Sequence, residues 1–225
     1  MRIRVATANL HGLRAGVGGA AEILASEAID LAMVQESGPR ERFRALAERA
    51  GMERVVDPPA VMRRRVQNGV LVRRPWRVAS VEHRRFAGSA RWHPRGATIA
   101  SLVHGDMTIW AISTHLGLIG AERAAHARAV VELLVGRGPF VLGADLNAEE
   151  GSATLDIFRG AGRDVGETAG ATFPSSDPSA RIDYLFVSPV IRVLGVAVRG
   201  GPEVSDHLIV TAELEIEGGG AERAR

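Results

Sequence analysis

Two apolar rhythms run along this chain and between them predict most of its elements. Alternation marks Arg2 to Asn9 as a strand, and an alanine-rich apolar stretch from about Gly19 to Ala28 predicts a helix. A short apolar run at Leu31 to Gln35 predicts a second strand, and Phe43, Leu46 and Ala47 recur at helical spacing in the segment that follows. The opening is therefore β, α, β, α. Strands then dominate: Glu53 to Val56, Gly69 to Arg73, Arg77 to Phe86, Ala97 to Val103 and Thr108 to Thr114, with His104-Gly105-Asp106 as a hairpin turn. Helix returns from about Ala121 to Val135 and is stopped by Gly136, Gly138 and Pro139. The last third predicts a strand at Phe140 to Gly143, a short helix at Ala153 to Arg159, and strands at Ile182 to Val187, Val190 to Val198 and Leu208 to Ile216. Strands flanked by helices at both ends, with hairpins between, suggest two sheets packed face to face with helices outside.

Nothing in the pattern breaks the chain into parts. With 225 residues, no linker-like stretch and no internal repeat, residues 1–217 are expected to form one domain, and GGGAERAR at 218–225 a disordered tail. Apolar residues make up 46% of the chain, enough for a sizeable core. Cysteine is absent, which excludes a disulfide framework and thiolate metal sites. The N-terminus runs straight into a strand pattern with no basic-then-apolar leader, and no apolar run is long enough to span a membrane, so the expectation is a cytoplasmic protein without membrane insertion. No surface apolar stripe suggests an obligate dimer, and a monomer is expected.

Charge changes the picture only locally. The formal net charge is +2, and every basic residue is arginine, a bias that genome composition alone can produce. Between Arg63 and Arg95, however, ten arginines (63, 64, 65, 73, 74, 77, 84, 85, 91 and 95) face the single acid Glu82. Such a stretch reads either as a solvated face or as a surface that meets phosphates through guanidinium forks. Trp76, Phe86 and Trp92 interleave with it, though core is the expected fate of at least two of them.

The polar residues that look out of place share one address, the end of an apolar strand or the loop leading into one. Asn9, Glu36, His115 and Asp145 each follow a predicted strand, Asp183 lies inside RIDYLFV, and Asp206-His207 precede Leu208-Ile209-Val210. Singly, each has an ordinary explanation: a turn asparagine, a loop acid, a strand-end histidine, a surface ion pair. Asp145-Leu146-Asn147 superficially suggests a calcium loop, but Gly151 falls one place late and no bidentate acid follows at the required distance. Strand ends can converge on one rim, and the set then reads as a single site. Asp145 and Asn147, two apart, would face the same side if the strand continued through both.

In order, TANLHG, LAMVQES, NGVLVRR, STHLGL, LGADLNAEE, TFP with RIDYLFVSP, and VSDHLIV span residues 7–210. This combination resembles the endonuclease/exonuclease/phosphatase superfamily, with its deoxyribonuclease I-like fold. The resemblance implies an α/β four-layer sandwich, two mixed β-sheets face to face with helices on the outer faces, and Mg²⁺- or Mn²⁺-assisted hydrolysis of phosphate esters by water. It implies Glu36 as a metal ligand, with Asn9 and Asp206 contributing. His207 would be the acid-base residue oriented by Asp183, Asp145 the carboxylate that orients or deprotonates the attacking water, and Asn147 and His115 donors to the phosphoryl group. Either Asp145 or the Asp183 and His207 pair could take the proton. Arg95-Gly96 resembles an arginine-containing strand entry of several non-nuclease branches, which makes Arg95 a substrate-binding candidate. His11 stands where nuclease branches carry an acid, Tyr184 is the only tyrosine, and there is no room for the lipid-inserting hairpin of sphingomyelinases. The expected substrate is nucleic acid, DNA or RNA, on the strength of the arginines. Alternatives are a small phosphorylated metabolite or lipid headgroup, and an idle scaffold, which the completeness of the site disfavours.

Overall fold

The computed structural model describes residues 1–56, 67–88 and 94–217. Arg63, Arg64, Arg65, Arg91, Trp92 and the 218–225 tail lie outside the described residues. The strands are β1 (Arg2–Asn9), β2 (Leu31–Gln35), β3 (Glu53–Val56), β4 (Gly69–Val72), β5 (Arg77–Arg85), β6 (Gly96–His104), β7 (Met107–His115), β8 (Phe140–Asp145), β9 (Arg163–Asp164), β10 (Asp183–Val187), β11 (Ile191–Arg199) and β12 (Ile209–Ile216). The helices are α1 (Gly18–Ser26), α2 (Arg40–Ala50), α3 (Gly120–Leu134) and α4 (Ala153–Arg159). Every expected element is present, with ends shifted by a residue or two. β9, two residues long, is too short for a periodicity to show.

Two six-stranded mixed sheets form, in the orders β11-β12-β1-β2-β4-β3 and β5-β6-β7-β8-β10-β9. Their inner faces supply one core, with Ile3 and Val5 of β1, Leu31 and Met33 of β2, Ala111 of β7, Val141 of β8 and Leu185 of β10. The intervening residues point the other way. Ala6, Ala8, Ala32 and Val34 pack outward against Leu24 of α1 and Phe43 and Leu46 of α2. Ile112, Leu142, Ala144 and Phe186 pack outward with Ala127 and Val130 of α3 and Phe158 of α4. Both faces of the central strands are buried, which is why LAMV and VLGA read as unbroken apolar runs. Each Leu, Ile, Val or Phe so buried contributes about 1.5–3 kcal/mol.

Helix ends follow local chemistry. α2 stops where Gly51 takes a left-handed φ of 66°. At the start of α4 the Ser152 hydroxyl accepts the Leu155 N–H. The β6–β7 turn is Gly105-Asp106, with φ 59° at Gly105.

Near one end the layer between the sheets turns polar. Gln35 Nε2 donates to Ser113 Oγ and to the Gly143 carbonyl, both at 3.2 Å, while Thr7 Oγ1 donates to Gln35 Oε1 at 3.3 Å. A Cβ on Gly143 would stand 2.5 Å from Met33 Cβ, so glycine lets β8 approach β2 closely here.

Candidate active site

The pairing registers explain how residues far apart in sequence share a rim. β1 and β2 are parallel with Asn9 opposite Gln35, and β7 and β8 are parallel with His115 opposite Asp145. Their antiparallel neighbours enter where these strands leave, with Asp183 of β10 opposite Asp145 and Gly96 of β6 opposite His115. β12 runs antiparallel to β1, so the residues just before it, Asp206 and His207, arrive beside Asn9. Two hydrogen bonds stitch the sheets together at this rim. Asn9 Nδ2 donates to Asp145 Oδ2 at 2.8 Å, and His207 Nδ1 meets Asp183 Oδ2 at 2.9 Å.

The loops that aim these groups are strained. Glu36 and Asn147 adopt φ of 45° and 49°, in the left-handed region, as does His11 at 45°. Such a residue costs on the order of 1–3 kcal/mol and persists where its surroundings hold it. Gly12 N–H donates to the Glu36 carbonyl at 2.9 Å, and a Cβ on Gly38 would sit 2.3 Å from the Gly12 carbonyl oxygen. The loops after β1 and β2 are thus pressed together with Glu36 between them. Asn147 differs from the strand-continuation expectation, because β8 ends at Asp145. The Asn147 N–H donates instead to Asp145 Oδ1 at 2.9 Å, a side-chain turn that brings both groups together without a pleat.

Asp145, Asp183 and His207 are all buried, with ligating atoms within 4.8 Å of one another. Burial raises Asp183 to about 6, against the hydrogen bonds from His207 and Thr172. Burial also opposes the His207 imidazolium, but the hydrogen bond and charge of Asp183, aided by Asp145 and Asp206, win and push it up to about 9. Burial likewise opposes charge on Asp145, yet His115, His207, the Asn9 amide and the Asn147 N–H hold it below the usual carboxylate value. His115 is the contrasting case, lowered to about 4 chiefly by burial and further by Arg95, against the pull of Asp145 and Glu36. At neutral pH the rim therefore carries two ionised aspartates, one imidazolium and one neutral imidazole.

The tautomer of His115 follows from its neighbours. Arg95 Nη1 lies 2.8 Å from Nδ1, and a guanidinium can only donate, so the ring proton sits on Nε2, 3.2 Å from Asp145 Oδ2. Asn147 Nδ2, 3.0 Å from that nitrogen, is then a neighbour and not a donor to it. One amide N–H goes to the Leu116 carbonyl at 3.1 Å, and the other is left over.

Glu36 lies beside this group, its carboxylate 3.9 Å from His115 Nδ1, and among the described residues no hydrogen-bond donor reaches that carboxylate. Asp206 is differently placed. Its Oδ2 is 3.1 Å from His11 Nδ1, while Ser205 Oγ, 3.3 Å from its Oδ1, gives its one proton to the Asn9 backbone carbonyl at 2.8 Å. Thr172, which touches the site, and Gln35, which ties the sheets behind it, escaped the residue-by-residue reading. Thr172 Oγ1 donates to Asp183 Oδ2 at 2.6 Å. The only sequence signals for them were their places in TFP and in the inward register of LAMVQES.

The arginine stretch does not form one phosphate-facing surface among the described residues. Arg73 spends its guanidinium on the Ile29 and Leu24 carbonyls, Arg74 pairs with Glu53 and Arg84 with Glu82, while Trp76 and Phe86 are core. Arg77 and Arg85 are exposed, and Arg95 belongs to the rim.

A sequence model of the Endonuclease/Exonuclease/phosphatase family matches residues 6–207. The chain belongs to that family. Its members are phosphoester hydrolases that generally use a divalent metal. Among solved structures, the endonuclease/exonuclease/phosphatase from Bacteroides vulgatus is 19% identical with a TM-score of 0.82, over 96% of this chain and 100% of that one. D. rerio TDP2 complexed with a single-strand DNA product is 18% identical with a TM-score of 0.80, over 95% and 99%. A mannosyl-6-phosphatase of Bacteroides thetaiotaomicron is 21% identical with a TM-score of 0.75, over 95% and 100%. At these identities the likeness carries the deoxyribonuclease I-like sandwich and no substrate. No curated protein matches the chain in sequence. Among the described residues, no helix of this family member is long and apolar enough to cross a membrane.

Proposed function

We propose that the chain is a Mg²⁺- or Mn²⁺-dependent hydrolase that cleaves phosphodiesters by in-line attack of water. The observation that carries this reading is the convergence of ionised Asp145, the Asp183 and His207 pair, neutral His115 and Asn147 on one rim beside Glu36. The donor set fits a hard divalent ion: it offers a carboxylate, Glu36, that no protein donor claims among the described residues. Glu36 would hold the ion, with the Asn9 side-chain oxygen, which accepts the His11 N–H, as a second candidate. Asp206, with its Oδ2 engaged by the His11 ring, would offer its Oδ1. When bound, the ion supplies charge stabilisation at a phosphoryl oxygen.

The protein's own groups divide the remaining work. His207, raised to about 9, is protonated at neutral pH and so suits charge stabilisation and proton donation to the leaving oxygen. Asp145, held ionised, is then the group that takes the proton of the attacking water, which favours one of the two alternatives left open by the sequence. The spare Asn147 N–H supplies a donor for a phosphoryl oxygen, and the His115 Nε2–H, shared with Asp145 Oδ2 at 3.2 Å, another as charge grows in the transition state.

Nucleic acid is the first substrate class to test, supported by exposed Arg77 and Arg85. A second reading, a small phosphorylated compound, is favoured because Arg73, Arg74 and Arg84 are engaged within the protein. Supercoiled plasmid and bis(p-nitrophenyl) phosphate, each with Mg²⁺ or Mn²⁺ at low salt, separate the two, with Asp145→Asn purified in parallel. Nicking by the parent and not the variant supports a nuclease. Cleavage of the small diester alone supports the second reading, and cleavage of neither by the parent refutes diesterase function.

A further inference from the structure

Beside the rim lies a cavity of about 280 Å³, bounded by the turn after β1, the Pro174–Ser176 loop and the Pro202–Asp206 loop. Its polar lining is already partly committed. Arg14 Nη1 lies 3.0 Å from His11 Nε2, and His11 Nδ1 lies 3.1 Å from Asp206 Oδ2. A guanidinium donates and never accepts, so Nε2 is the acceptor and the His11 proton on Nδ1 goes to Asp206. The one carboxylate in the lining, Asp206, is thereby engaged by the His11 ring. Ser175 Oγ donates to the Ser205 carbonyl and Ser205 Oγ to the Asn9 carbonyl, so these hydroxyls hold the wall together. The remaining Arg14 donors are unspent, and among the described residues no carboxylate lies within ion-pair distance of this exposed guanidinium. Ser176 adds an exposed hydroxyl, while Pro174, Pro202 and Ala15 give apolar walls.

Three features suit this cavity to part of a substrate. It presents a cation with no acid partner among the described residues. It shares His11 and Asp206 with the rim, directly before His207. Its volume, about 280 Å³, lies just below the range of ligand sites, which start at about 300 Å³, and suits one compact group.

We propose that this cavity is a specificity subsite for a second phosphate on a compact polar scaffold, one sugar away from the phosphate being hydrolysed, with Arg14 as the anion contact. The inference rests on the phosphodiesterase reading above. Such a group could come from a terminal nucleotide or from a free sugar phosphate, and the shared chemistry is the second phosphate.

The test compares p-nitrophenyl phosphodiesters of thymidine and of ribose, each with and without a phosphate on another sugar hydroxyl. The parent is expected to prefer the doubly phosphorylated ester, and Arg14→Ala to lower that preference in kcat/KM about tenfold, through KM, as the loss of one charge-assisted contact does. Arg14→Lys restores part of it, Ala15→Trp abolishes it by filling the space, and Arg192→Ala, at a distant surface pair with Glu215, preserves it. Preference for both scaffolds indicates a sugar phosphate, and preference for thymidine alone a terminal nucleotide. No preference in the parent, or a preference that survives both Arg14→Ala and Ala15→Trp, overturns the proposal. Calorimetric binding of thymidine bisphosphate requires no turnover and so separates the subsite from the functional reading. About tenfold weaker binding by Arg14→Ala supports the subsite even if no ester is cleaved, and equal binding refutes it.

Discussion

Replacing Asp183 by Asn removes the carboxylate that makes His207 a cation while keeping the shape of the side chain. His207 moves from 6.5 to about 9 on folding, which at 1.36 kcal/mol per unit stabilises the folded state by about 3 kcal/mol. Because the folded value is raised, this contribution is complete below pH 6.5 and is lost as pH climbs to about 9. Asp183 itself moves from 3.8 to about 6, which costs about 3 kcal/mol once it is ionised, a cost absent below pH 3.8 and complete above about 6. The two changes oppose each other and share the attraction of one coupled pair, as expected where desolvation offsets attraction. Asp183→Asn is therefore expected to leave stability at pH 7 within about 1–2 kcal/mol of the parent, lower kcat by about 10²- to 10⁴-fold, and bring the His207 value down, since burial then opposes the cation with less compensation. The fall in stability between pH 6.5 and 9 should flatten with it. Denaturant unfolding across that range and imidazole NMR titration read these effects. A variant in which His207 still titrates near 9, or one that keeps its kcat, would refute the reasoning.

Four further expectations follow. His115, lowered to about 4 by burial first, should favour the folded state above pH 6.5 and cost about 3 kcal/mol as pH falls to 4; denaturation of His115→Gln should lack that acid slope. Gly38→Ala should destabilise by about 2 kcal/mol or more and weaken Mn²⁺ binding, since its Cβ would meet the Gly12 carbonyl at 2.3 Å and displace the loop that carries Glu36; thermal melts and calorimetry measure the two effects. Glu36→Gln should fold normally but bind Mn²⁺ at least about tenfold more weakly, and unchanged affinity in a calorimetric titration would remove Glu36 from the metal site. Gln35→Leu should cost about 1–3 kcal/mol by stripping the donor from Ser113 and the Gly143 carbonyl, read by denaturant midpoint.

What the sequence determined by itself is local in origin. Alternation along Arg2 to Asn9 and Leu31 to Gln35, and helical spacing at Phe43, Leu46 and Ala47, depend on neighbours a few positions away, so the elements and the strand-end address of Asn9, Glu36, His115 and Asp145 were visible. Only the tertiary structure decided what those residues do to one another. Asn9 and Asp145 are 136 positions apart and bond across two sheets. Gln35, one place before Glu36, turned out to be a tie between sheets, because register and not residue type aimed it inward. Asn147 lies in a left-handed turn that the pleat of β8 could not foretell. The arginines looked alike in the sequence, yet carbonyl partners took Arg73 and the His115 ring took Arg95. The two histidines diverged for the same physical reason: desolvation and charge act through space, so His207, where Asp183 outweighs burial, is held as a cation and His115, where burial outweighs Asp145, is held neutral.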